Sequence, residues 1–222
     1  MTLPRATVTE GILQELDNFA ALVRSLDDEQ WAKPSRCSGW TVADVAAHVT
    51  GTMTDVVNGR LEGLGTPEVT ERQVVERRGL SPAEIADELE NDRKLTADLL
   101  GTFDDAAWAG PVPGGIARNI GNGVEALWYD AYLHADDIRA AIGQPSVATG
   151  PGLEASISHL AAILEDQKWG PATLALDGVA EYGIGEGSGK RITGDAFEFV
   201  KVATGRADPS AFGLGPDVNV YR

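Results

Sequence analysis

LWYDAYLHADDIRAAIG, residues 127–143, has the spacing of a helix that a glycine ends. Within it Asp130 and His134 stand four apart, so one helical turn brings them to the same face. Leu127, Ala131, Ile138 and Ala141 mark that face as apolar. A carboxylate and an imidazole are therefore turned toward an interior, where a charge is costly unless paired or bound to a metal. His48 sits the same way in a second helical pattern, beside Val45, Val49 and Val56. Two histidines and one carboxylate drawn from facing helices compose a metal site with open coordination positions. The same residues also allow a plainer arrangement, a buried Asp130–His134 hydrogen bond with His48 as a satisfied core histidine. His159, the third histidine, has no acidic or histidine partner at helical spacing and reads as a core or surface residue.

Outward from that stretch, four amphipathic helices are expected between residue 7 and about residue 143. The first opens at Thr7, with Glu10 three residues on, and carries Ile12, Leu16, Phe19, Leu22 and Val23 on one face. Thr41 and Asp44 form a near capping box at the head of the second, which passes through His48 toward Leu61. Ser81, Pro82 and Glu84 together head the third, which continues to about Leu100. The fourth covers Asn119 to Ile142. LDDEQW at 26–31 and FDDAAW at 103–108 repeat one pattern, a DD turn with a tryptophan ahead of a long helix. The echo predicts two related helix pairs, joined by a longer connection over residues 63–80. Trp31, Trp40 and Trp108 are read as packing anchors in these turns. Past Gly150 the pattern changes to a helix at about 152–166, short β-like stretches ATLALDG and AEYGIGEGSGKRIT, a helix from near Asp195, and a last strand in VNVYR. EGSGK is too short for a phosphate loop and reads as a hairpin turn. The expected organisation is a helical bundle over 1–150 and a small α+β domain over 151–222.

Composition narrows the partners. A chain of 222 residues with 43% hydrophobic and 23% charged residues suits a soluble globular protein with a sizeable core. Eighteen Lys and Arg against 34 Asp and Glu give a formal charge of −16, which argues against binding nucleic-acid phosphates. No apolar run approaches the roughly 20 residues of a membrane span, and MTLPRATVTEGI lacks the pattern of a signal peptide. The expected protein is cytoplasmic, a monomer or homodimer, with small-molecule partners only. Cys37 is the sole cysteine, so an internal disulfide is excluded. It is either a reactive thiol or a small buried hydrophobe.

CSGWTVADVAAH at 37–48, the run from Asp130 through His134 and Asp137 to Gly143, and TGDAFEFVKVATGRAD at 193–208 together resemble the mycothiol-dependent maleylpyruvate isomerase family. This is the actinobacterial branch of the DinB-like metalloproteins. The resemblance covers nearly the whole chain. It implies a mainly α fold, a DinB-like four-helix bundle followed by a small α+β C-terminal domain, with a divalent metal, usually zinc. His48 and His134 match the family's histidine ligands, and Asp130 stands where the family carries a glutamate. Asp137 is either a support to the ligands or an exposed residue. Arg206 resembles an arginine near the family's substrate or thiol, where it can clamp a carboxylate; otherwise it complements a helix C-terminus.

The implied activity is that of a metal- and mycothiol-dependent enzyme acting on a small electrophile, as an isomerase or an S-transferase. A metal lowers a thiol's pKa, and the thiolate can add to an activated double bond, permit rotation and leave. Two other readings stand beside it. One is a metal-containing binding or stress-response protein without turnover, since fold does not imply function. The other is a non-haem iron oxygenase, which two histidines and a carboxylate also suit.

Overall fold

The computed structural model describes residues 3–113, 117–187 and 189–222 of the chain. The chain divides into two compact units, residues 4–147 and 148–222. The first unit is helical. Its long helices are α1 (Arg5–Arg24), α3 (Val42–Val57), α5 (Pro82–Gly101) and α7 (Ile120–Ile142), with α2 (Asp28–Trp31), α4 (Pro67–Arg77) and α6 (Asp105–Trp108) between them. Both α1 and α3 pack against α5 and α7, which closes a four-helix bundle. Its core joins Ile12, Leu16 and Phe19 to Val45, Met53, Ile85, Leu89, Trp128, Leu133 and Ile138, all essentially buried. Each such side chain contributes about 1.5–3 kcal/mol over its exposed state.

The caps fall where the sequence places them. Thr41 and Asp44 cap each other's backbone at α3, as do Ser81 and Glu84 at α5. Asn119 caps α7, and Gly143 ends it in the left-handed region at φ 76°. The first helix differs: it begins at Arg5, behind Pro4, with no side-chain cap. α3 ends at Val57, short of Leu61. The repeated DD turns are real structural equivalents. Asp27 caps α2 and Asp104 caps α6, and these short helices pack on α3 and α7 respectively.

Two local expectations are corrected in this unit. The connection over 63–80 contains α4, headed by Thr66 and Pro67. Its sequence, PEVTERQVVER, has five charged residues in eleven and buries only Gln73, Val74 and Arg77, so it shows no apolar stripe. The interior face of α7 is also broader than the predicted stripe. Leu127 and Ala141 are half-buried, while Val124, Trp128, Ala135 and Asp137 are buried, because α1, α3 and α6 enclose the helix from several sides.

The second unit contains α8 (Pro151–Asp166), α9 (Ala196–Ala203) and a sheet of order β2-β1-β3 from β1 (Ala172–Asp177), β2 (Tyr182–Ile184) and β3 (Lys190–Asp195). β1 alternates buried and half-buried residues, as a strand covered on one face must. β1 runs antiparallel to β2 and parallel to β3. β2 and β3 do not pair, so the hairpin expected at EGSGK, of which Ser188 lies outside the described residues, is not formed; the hairpin is β1–β2. VNVYR forms no strand. Pro216–Val218 is a 3-10 turn, and the N–H groups of Val218, Asn219 and Val220 donate to the Gly215, Pro216 and Ala203 carbonyl oxygens.

Candidate metal centre

The loop before α3 and the middle of α7 build the site. The Ser35 backbone N–H and hydroxyl both donate to the Trp40 carbonyl oxygen across a turn whose Gly39 has φ 82°. That turn feeds Thr41 into its cap, which sets the phase of α3 and aims His48 at α7. One helical turn on α7 presents Asp130 and His134 to it. The Nε2 atoms of His48 and His134 lie 3.6 and 3.5 Å from Asp130 Oδ2 and Oδ1. The imidazoles meet edge to face, 5.1 Å between centroids, and one ligand atom from each of the three residues lies within 4.8 Å of the others.

These separations fit a metal. Donors at about 2.0–2.2 Å from a tetrahedral zinc are about 3.4 Å apart. The aspartate, shorter than glutamate by one methylene, still reaches both histidines. The side chains of His48 and His134 keep 11% and 12% of their surface while Asp130 keeps 28%, so the site opens on the aspartate side. Three protein donors with one accessible side are the arrangement of a catalytic rather than a structural zinc. Trp40 stands against His48 at 5.3 Å between ring centroids and walls the site.

Each histidine is held from behind. His134 Nδ1 is 2.8 Å from Asp137 Oδ2, and Asp137 is fully buried. Asp137 also accepts from Cys37 Sγ at 3.2 Å and from Arg36 Nε, while the far end of the same guanidinium pairs with Asp136. His48 Nδ1 is 3.1 Å from Gln73 Oε1. A carboxylate or carbonyl on the outer ring nitrogen is the usual support of a metal-binding histidine. Charge follows the geometry. Burial disfavours both ions, yet the two imidazoles hold Asp130 far below the usual carboxylate range, and Asp130 and Asp137 hold His134 well above the usual histidine range. A metal entering here therefore displaces a proton.

Residues 12–139, more than half the chain, match the family model of the mycothiol maleylpyruvate isomerase N-terminal domain. The chain belongs to this family. Two crystal structures share the fold of the isomerase-family chain. That of the mycothiol-dependent maleylpyruvate isomerase is 18% identical with a TM-score of 0.64, and a histidine-to-alanine mutant of that enzyme is 16% identical with the same score; each match covers 96% of both chains. At these identities the likeness is one of fold. No curated protein sequence matches the chain.

The structure thus brings His48, Asp130 and His134 of this family member together and places Asp137 behind them, buried rather than exposed. Cys37 is neither isolated nor simply apolar, since it lies beside His134 and Asp137. Arg206 belongs to the other unit, past the end of α9, with Nη1 3.4 Å from the Thr204 carbonyl oxygen. His159 is half-buried on α8. Gln73 and Arg36 escaped the sequence reading. Neither is adjacent in sequence to the residue it supports, and a glutamine in a charged helix carries no signal of its own.

Proposed function

We propose that the protein is a divalent-metal enzyme, zinc being the metal that suits its donors, which uses a low-molecular-weight thiol of the mycothiol type on a small electrophilic substrate. The observation that carries this is the His48–Asp130–His134 group, in which each histidine Nε2 lies about a tetrahedral edge from an Asp130 oxygen, with an open side and a supported outer nitrogen on each histidine. A bound divalent cation would supply Lewis acidity, bringing a thiol or water pKa toward neutrality.

The chain's residues supply the rest. Asp137 keeps a proton on His134 Nδ1 and so leaves Nε2 as the inward donor. Asp130 contributes the single negative charge among the donors. Trp40 excludes water from one flank of His48. Arg206 is the proposed clamp for a carboxylate of thiol or substrate, a task suited to the planar guanidinium. In the isomerase form of the reaction the thiol sulfur adds to an activated double bond, the resulting single bond rotates, and the sulfur leaves, so that no atoms are gained or lost. In the transferase form the carbon–sulfur bond is kept and the neighbouring carbon takes up the proton that the thiol gave, so the thiol adds across the double bond as a whole. The charge of −16 and the absence, among the described residues, of a helix long and apolar enough to cross a membrane fit small-molecule partners.

Cobalt substitution tests the reading. Mycothiol or a simple thiol added to the cobalt-loaded protein should produce an intense sulfur-to-metal absorption band. A cobalt spectrum that no thiol changes would favour a metal-containing protein without thiol chemistry.

A further inference from the structure

We propose that Gln73 is a positioning residue for His48, and that the buried Asp55 fixes which end of the Gln73 amide does the positioning. The zinc consequences of this inference rest on the metal reading above; its tautomer consequence does not.

Asp55 lies on α3 and is fully buried. Its Oδ1 accepts from Arg60 Nε at 2.8 Å, and its Oδ2 accepts from Arg72 Nη2 at 2.6 Å and Gln73 Nε2 at 2.7 Å. Burial works against its charge, but the amide of Gln73 and the two guanidiniums hold it ionised. An ionised carboxylate only accepts hydrogen bonds. The NH2 end of Gln73 must therefore face Asp55, and the carbonyl end must face the other way.

That carbonyl oxygen meets two groups. Thr52 Oγ1 donates to it at 3.3 Å, and His48 Nδ1 stands 3.1 Å away. A carbonyl oxygen cannot donate, so the ring must carry its proton on Nδ1. With Nδ1 committed to this bond, Nε2 is the ring nitrogen left to face Asp130. The orientation is set by a buried charge two hydrogen bonds away.

The packing is arranged to allow this. Gly51 lies on the face of α3 that α4 covers, and a Cβ there would come within 2.6 Å of Gln73 Cβ. Glycine lets α4 approach closely enough for a side chain only as long as glutamine to reach both His48 and Asp55. Gln73 is 1% exposed, so its bonds are shielded from competing water. The two histidines are thus supported differently, His134 by a carboxylate directly and His48 by a neutral amide with the carboxylate one step behind.

The test uses the full chain with isotope-labelled histidine, as wild type, Gln73→Met and Gln73→Glu, metal-free and titrated with zinc against a chromophoric chelator. Proton–nitrogen correlation spectra of the metal-free wild type should show His48 protonated on Nδ1. Gln73→Met keeps the volume but has no acceptor, and should weaken zinc binding about 10–100-fold. Gln73→Glu keeps an acceptor for Nδ1; set against the ionised Asp55 it must hold a proton on the oxygen that replaces the amide nitrogen, and zinc affinity should stay within about threefold of wild type. A purely structural Gln73 would lower the melting temperature in both variants without separating their zinc affinities. His48 protonated on Nε2 alone in the wild type, or a folded Gln73→Met with wild-type zinc affinity, would overturn the assignment. If Gln73→Met does not fold, the wild-type tautomer decides it. If the wild type takes up no zinc, the metal reading fails alone, and the metal-free tautomer still decides the role of Gln73.

Discussion

Replacing Asp137 with asparagine leaves shape almost unchanged and removes one acceptor from a place that uses both. Oδ1 accepts from Arg36 Nε, and Oδ2 accepts from Cys37 Sγ at 3.2 Å and faces His134 Nδ1 at 2.8 Å. An asparagine offers one oxygen and one NH2. With the NH2 toward Arg36, two donors oppose each other in a fully buried position. With the NH2 toward His134, Nδ1 must become the acceptor, and the ring proton moves to Nε2, where the metal would bind. The first outcome costs about 1–3 kcal/mol of fold stability, the range for a buried group left unpaired. The second costs about 10–100-fold in metal affinity, which is about 1.4–2.7 kcal/mol. Asp136 still pairs with Arg36, so the loop before α3 stays anchored and the stability loss should sit near the lower end of its range. The assay is a zinc titration against a chromophoric chelator, with a thermal melt of the metal-free protein beside it. A folded Asp137→Asn with wild-type zinc affinity and an unchanged melt would refute the claim that this carboxylate sets the state of His134.

Three other outcomes follow from the structure. Burial on α1 pushes Glu15 up to about 7 despite the attraction of Arg139, so the folded state binds its proton more tightly than the unfolded state; stability on this account is greatest below the ordinary value of 4.5 and falls as pH rises to about 7, by about 3 kcal/mol in all. Glu15→Gln should therefore out-melt the wild type at pH 8 and match it at pH 4, read by calorimetry at the two pH values; equal melts at pH 8 would contradict it. Gly11→Ala sets a Cβ 2.0 Å from the buried indole of Trp128, and the overpacking of about 1–3 kcal/mol should exceed the roughly 1 kcal/mol that alanine gains in a helix, so denaturant titration should show net destabilisation. Arg206→Lys should leave zinc stoichiometry unchanged while raising KM for a carboxylate-bearing thiol or substrate about 10-fold or more; unchanged kinetics would remove Arg206 from the reaction.

Most of the bundle could be read from residues because its signals are local. Thr41 with Asp44, Ser81 with Glu84, and Gly143 each fix a helix end within one turn. Asp130 and His134 could be paired because they share a helix, and His48 joined them because it sits on a second apolar helix face, in the motif CSGWTVADVAAH. What stayed hidden depends on contacts between distant segments. α4 packs on α3 and buries Gln73, Val74 and Arg77, which share one helical face but include two polar side chains, so no apolar period marks the helix. Arg36 reaches Asp136 and Asp137 about a hundred residues away, and Gln73 reaches His48 across 25. In the second unit the strands were visible but their order was not, since EGSGK looks like a tight turn whether or not the strands beside it pair.

The claim on which the functional account turns is that His48, Asp130 and His134 hold one divalent metal ion. Elemental analysis of the purified wild-type protein beside His48→Ala tests it most directly. The account predicts about one equivalent of zinc or another divalent metal per chain in the wild type and its loss in the variant, with the helical circular dichroism largely kept. A wild-type protein that is metal-free and takes up no added zinc, or a His48→Ala protein that keeps its full metal content, would contradict it.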